Sequence, residues 1–155
     1  MGEGAWVLVV GLIVLRPIFV ECADERTQKL IDSICRSMEE YGFCNRTFND
    51  NLNGPSATIF DLTWITLDQS LNNATNTLHF VLQTLQHTTD PSARIALEIC
   101  ERDFENMLRA EMITPRAQGR CVSPDSVTDL PERNREMRIL LAMAIVAGNI
   151  ITIRL

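Results

Sequence analysis

From Phe60 to Leu85 the apolar residues fall at Phe60, Trp64, Leu67, Leu71, Ala74, Leu78, Val81 and Leu85, at spacings of 4, 3, 4, 3, 4, 3 and 4. Side chains three and four apart share one face of an α-helix, whereas strand residues alternate with a period of two, so no strand can carry this pattern. The spacing predicts one long helix from Ser56 to Thr88. Pro55 precedes it and Ser56 stands at the cap position, while Asp90-Pro91 ends it because the residue before a proline is pushed out of the helical region. The opposite face carries Asp61, Asp68, Asn72, Asn73, Asn76 and Gln83. One side of the rod is built to pack and the other to meet water.

Asp90 as cap and Pro91 at the first helical position open a second helix with apolar Leu97, Cys100, Phe104, Met107 and Leu108. Asp129 and Glu132, with Pro131 between them, form a candidate capping box for a last helix bearing Met137, Leu140, Leu141, Ala144, Ala147 and Ile151. A shorter helix from Thr27 to Met38 presents Leu30, Ile31, Ile34 and Met38. No segment alternates as a strand would, so the fold class is all-α, with helices packed antiparallel through seams of 3.5-residue spacing. With 155 residues, 46% of them hydrophobic and 22% charged, the chain suffices for one domain and is too apolar for intrinsic disorder. Fourteen basic against 20 acidic residues, a net charge of -6, leave no electrostatic footprint for nucleic acid.

Both ends are unusual. Ala5 to Leu15 is an unbroken apolar run, but eleven residues of helix rise only about 16 Å against a hydrocarbon core of roughly 30 Å. That length suits a signal-peptide core, with Cys22 and Ala23 as the small residues of a cleavage site, which divides the chain into a signal peptide over 1–23 and a domain over 24–155. Cleavage leaves four cysteines, Cys35, Cys44, Cys100 and Cys121, an even number in an oxidising compartment. Four cysteines allow three pairings; closeness along the chain favours Cys35 with Cys44 and Cys100 with Cys121. Two N-x-[ST] sequons make Asn45 and Asn73 candidate glycosylation sites on that route. The apolar tail from Ile139 to Ile153, with Ser123 and Ser126 upstream, has the outline of a lipid-anchor signal. Gly148, Asn149 and Arg154 interrupt it and its apolar residues keep helical periodicity, so a packed helix and no stable membrane anchor are expected.

Catalytic chemistry is not in view. His79 and His87 stand eight residues apart, two turns and about 12 Å along a helix, too far to share a metal ion. Glu39-Glu40 and Asp24-Glu25 read as solvated helix charges, and no nucleophile-elbow, zinc-protease, phosphate-loop or dinucleotide motif is present. No catalytic residue, metal or cofactor is expected.

The most distinctive arrangement is Cys35-Arg-Ser-Met-Glu-Glu-Tyr41-Gly-Phe-Cys44, a C-x5-Y-x2-C pattern, followed by the long heptad helix and then Ala96-Leu97-Glu-Ile-Cys100-Glu-Arg-Asp-Phe104. This resembles the plant invertase and pectin methylesterase inhibitor family, whose members follow a signal peptide with a helical hairpin closed by two cysteines. They carry an A-L-x-x-C-x-x-x-aromatic motif at the third cysteine and a fourth before the last helix. The closing stretch from Glu132 to Ile145 is also similar, so the likeness spans residues 25–155. It implies an up-and-down four-helix bundle with an N-terminal hairpin, first-to-second and third-to-fourth disulfides, and a secreted protein of the cell wall or apoplast. The implied partner is pectin methylesterase or acid invertase, whose active site the inhibitor would cover, with no catalysis of its own.

The pattern departs from the family between the last two cysteines. Members have room there to finish one bundle helix, turn and run most of another; here Cys100 and Cys121 are 21 residues apart. One bundle helix is therefore expected to be shortened or missing, leaving an apolar face uncovered and open to homo-oligomer formation or partner binding. The Pro-Lys-Phe tripeptide associated with invertase inhibitors is absent, and Pro115-Arg116-Ala117 does not replace it. Asp68, Asn72, Asn76 and Gln83, polar and off the apolar stripe, are the candidate partner contacts. The alternative reading is a secreted signalling or wall-associated binding protein without inhibitory activity, or a degenerate family member.

Overall fold

The computed structural model describes residues 23–109 and 121–154. Five helices follow in order: α1 (Glu25–Cys35), α2 (Tyr41–Asn49), α3 (Ile59–His87), α4 (Pro91–Arg109) and α5 (Leu130–Arg154). The described residues contain no strand. The expected signal-peptide core, Cys22 and the Pro115-Arg116-Ala117 tripeptide lie outside the described residues.

Local chemistry sets most of the helix starts. The Asp24 carboxylate accepts from the Thr27 backbone N–H at 2.7 Å and caps α1, which begins at Glu25, two residues before the predicted start. Asp90 does the same for α4 through the Ala93 N–H at 2.7 Å, as the Asp-Pro signal predicts. For α3 the predicted cap is corrected. Thr58, not Ser56, stands at the cap: its hydroxyl accepts from the Asp61 N–H at 3.3 Å, and Asp61 accepts from the Thr58 N–H at 2.7 Å. A reciprocal box satisfies two backbone donors where Ser56 would satisfy one, and Ser56 instead donates to Asp24. At α5 the predicted role of Glu132 changes too, because its carboxylate takes the Arg135 Nε–H at 3.0 Å.

The core has two parts. Ala74, Val81 and Leu85 of α3 pack with Leu97, Phe104 and Met107 of α4 and with Leu130, Met137 and Leu141 of α5. Nearer the chain's beginning, Ile59 and Leu62 of α3 pack with Ile31 and Ile34 of α1, Phe48 of α2 and Ile139, Met143 and Ala147 of α5. Thus α5 runs antiparallel to α3 through both parts, while α4 contributes only to the first. Geometry accounts for this: 29 residues of α3 against 19 of α4 are helices of about 43 and 28 Å at 1.5 Å per residue. In the second part the α1–α2 hairpin takes the position beside α3 and α5 that α4 does not reach.

This arrangement overturns one expectation directly. The stripe from Phe60 to Leu85 is not one buried face: Phe60, Trp64, Leu67 and Leu71 are exposed, Trp64 at 71%, whereas Ala74, Val81 and Leu85 are buried. In this half the buried side of α3 is Ile59, Leu62, Thr66 and Ser70. A heptad stripe drifts by about 20° per seven residues on a straight helix, so its two ends look in different directions. The buried hydroxyls are satisfied within the helix, Thr66 donating to the Thr63 carbonyl and Ser70 to the Thr66 carbonyl, each at 2.7 Å. Small hydroxyl side chains are turned in there, and the bulky ones are turned out.

Two disulfides close the sequence-adjacent cysteines, Cys35–Cys44 in the hairpin and Cys100–Cys121 at the foot of the bundle. Asn134 of α5 donates to the Cys121 carbonyl at 3.2 Å, and the Arg133 guanidinium sits 4.6 Å from the centre of the Phe80 ring. The helix Leu130–Ile153 is long and apolar enough to cross a membrane by length and composition, yet Met137, Leu140, Leu141, Met143 and Ala147 of it are buried in the bundle.

Candidate functional site

Asp68, Asn72, Asn76 and Gln83 all lie exposed on α3. Asp68 accepts from the Asn72 amide at 3.1 Å and from Gln69 at 3.4 Å, so the first part of the set is one connected polar strip. Asn72 and Asn76 also line a cleft of about 330 Å³ between α2, α3 and α5, together with Phe43, Arg46, Gln69 and Glu136. Gln83 stands seven residues beyond Asn76, about 10 Å along the axis, outside that cleft. The structure therefore gathers three of the four residues and leaves the fourth apart.

The two sequon asparagines differ in setting. Asn45 lies on α2, its amide donating to the Tyr41 hydroxyl at 3.4 Å. Asn73 is turned toward α5: its amide donates to Glu136 at 3.2 Å, and its side-chain oxygen is buried without a hydrogen bond. The nitrogen that would carry a glycan is thus, at Asn73, engaged between two helices.

Beside the polar strip runs the feature that sequence reasoning placed in the core, the ridge of Phe60, Trp64, Leu67 and Leu71. A signal for it was present in the alternative face of Ile59, Leu62, Thr66 and Ser70, which hydroxyl content made look polar. Asp61 and Asp68 border the ridge and are exposed. The hydrogen bond from the Thr58 backbone, and then that from its hydroxyl, hold the Asp61 carboxyl below the usual range. At the ridge's foot Phe60 also lines a cavity of about 430 Å³ with Leu30, Ile59 and Ile151 on its apolar side and Asp24, Arg26 and Ser56 on its polar side. Asp24 is kept acidic there first by Ser56 and then by the Thr27 backbone.

The hairpin is tied to α5 by charge. Arg135 reaches both Glu40 and Glu132, and Arg138 lies 3.5 Å from Glu39. The pairing lowers the Glu132 pKa and raises that of Arg135. Within the hairpin Asp32 accepts from Gln28 and Tyr41, each at 2.8 Å, which lowers its pKa and raises that of the Tyr41 phenol. These groups tie the hairpin to α5 and brace it internally. Among the described residues no cluster of His, Cys, Asp or Glu could hold a metal ion, and His79 and His87 are exposed.

The described residues thus form a disulfide-closed hairpin on a helical bundle, with a second disulfide before the last helix. The family model described as plant invertase/pectin methylesterase inhibitor matches residues 29–145. The chain belongs to that family. No curated protein and no solved structure matches it. The match begins inside α1 and ends inside α5, so it takes in both disulfides and all of α2, α3 and α4. Members of this family are inhibitors rather than enzymes.

Proposed function

We propose that this inhibitor-family protein is secreted to the cell wall, binds pectin methylesterase or acid invertase there, and covers the active site of its target without catalysing a reaction. The family match over residues 29–145 carries this reading. The physical chemistry supports it: a bundle and a hairpin each closed by a disulfide lose little conformational entropy on association, so contact energy is kept for affinity. Asp68, Asn72, Asn76 and, further along, Gln83 are the proposed polar contacts on α3, all free of core packing. Asn45 is the proposed glycan site on α2, and Asn73 the second. The chain needs no cofactor for this role.

The deciding experiment mixes the secreted protein with each enzyme at stoichiometric and tenfold excess and follows ester hydrolysis or sucrose cleavage. One rate falls in proportion to the inhibitor added. Unchanged rates in both assays refute the reading. The second reading, a wall-associated binding or signalling protein without inhibitory activity or a degenerate family member, draws on the 21-residue spacing from Cys100 to Cys121. Binding to a wall component or receptor with both enzymes unaffected would establish it.

A further inference from the structure

We propose that the ridge of Phe60, Trp64, Leu67 and Leu71 is the surface on which the target enzyme docks, and that the enzyme meets it with an apolar trough bordered by Lys or Arg side chains. The inference rests on the inhibitor reading and adds where the contact lies and what chemistry completes it.

Four large apolar side chains in helical register are exposed together on one side of α3, beyond the reach of α4. Aromatic and leucine side chains about half in water offer on the order of 400 Å² of contiguous apolar surface, the size at which a patch on a soluble protein reads as an interaction site. That is about half of the roughly 800 Å² each partner contributes to a standard interface. The adjoining cavity shares Phe60 with the ridge and extends it; Leu30, Ile59 and Ile151 line its apolar side, and Asp24 and Arg26 stand on its polar side, so it can take an apolar side chain of the partner. Trp64, near the middle of the ridge and 71% exposed, has the size and position of an interface anchor.

Charge selects the occupant. The 29 residues of α3 include no Lys or Arg, while Asp61 and Asp68 stand along one margin of the ridge. A second copy laid antiparallel on the ridge would bring Asp61 of each chain near Asp68 of the other, and two such ridges alone bury only about as much as a crystal-packing contact. A partner with basic residues beside an apolar trough gains from both features. Each of its cations meets an exposed carboxylate at the ridge's margin.

The test uses the secreted wild-type protein, the double variant Trp64→Ser/Leu71→Ser and the single variant Asp68→Lys, titrated calorimetrically into pectin methylesterase and into acid invertase. Wild type binds one enzyme. The double variant binds it about thirtyfold more weakly, as loss of an interface anchor does. Asp68→Lys binds severalfold more weakly, and its affinity falls less between low and high salt than that of the wild type. Both variants stay folded by circular dichroism; the double variant melts a few degrees lower, because its side chains are partly buried, and Asp68→Lys melts close to wild type. Equal affinities for wild type and both variants overturn the ridge while leaving the inhibitor reading intact. Absence of wild-type binding to either enzyme overturns the inhibitor reading and the ridge proposal with it. Sedimentation showing a dimer that the double variant abolishes assigns the ridge to a second copy and overturns the enzyme as its occupant.

Discussion

Leu71 and Leu85 belong to one stripe of one helix, fourteen residues apart and indistinguishable by spacing, yet Leu71 is 48% exposed and Leu85 only 7%. Truncating each to alanine removes the same atoms from the same secondary structure, so any difference in cost comes from tertiary burial. Leu85 packs against α4 and α5, and a buried leucine truncated in this way costs about 3 kcal/mol, the loss of transfer energy plus the cavity left behind. At Leu71 half of the side chain is already in water and no closed cavity forms. At about 0.8 kcal/mol per buried methylene the loss is about 1 kcal/mol, and the better helix propensity of alanine offsets a few tenths of it. The expected gap is therefore about 2 kcal/mol, a factor of about 30 in the unfolding constant. Urea unfolding followed by far-ultraviolet circular dichroism, with both disulfides intact and matching slopes for the two variants, measures it. Costs equal within about 0.5 kcal/mol would mean that Leu71 is as buried as Leu85, and the two-part packing of α3 would be refuted.

Replacing Cys100 and Cys121 together by serine opens a closure spanning 21 positions, and the chain-entropy relation puts the loss near 3 kcal/mol; urea midpoints of oxidised wild type and variant check it, and a loss under about 1 kcal/mol contradicts the value. Thr58→Ala removes the cap of α3 and is expected to cost about 1 kcal/mol in the same titration, whereas Ser56→Ala, at the position the sequence favours, leaves the α3 cap intact. The folded-state pKa values of Asp32 and Asp61 are lowered, so the stability they contribute is fully present above the unfolded aspartate value of about 4 and is lost as pH falls through the folded values. A pH series of unfolding should thus be flat from neutrality to about pH 5 and then decline, less steeply for Asp61→Asn; the same slope in both proteins would argue against the capping box. In a secretory host Asn45→Gln should remove one glycan by gel mobility, and Asn73→Gln a second only if the nascent chain is modified before Asn73 meets Glu136.

Much of this fold is written in short-range chemistry. Apolar spacing, Asp90-Pro91 and the absence of strand alternation determine that the chain is helical, and where α4 begins is settled by one carboxylate and one backbone N–H. The spacing of Cys35 and Cys44 around Tyr41, and the Ala96 to Phe104 motif, carry the likeness to the inhibitor family that the match over residues 29–145 confirms. The start of α3 was misplaced at Ser56 from the Pro55-Ser56 signal, and the reciprocal hydrogen bonds between Thr58 and Asp61 put it at Thr58.

Which face of α3 is inside was not legible. Apolar periodicity reports which side chains avoid water, and it contains no length for the neighbouring helix; α4 reaches only the half of α3 from Ala74 onward. In the other half Thr66 and Ser70, whose donors the helix itself satisfies, are inside, and Trp64 and Leu67 are outside. Residue identity and spacing fixed the helices and the family, because those depend on contacts a few residues apart. The exposed ridge depends on where separate helices end relative to one another, a quantity that exists only in three dimensions.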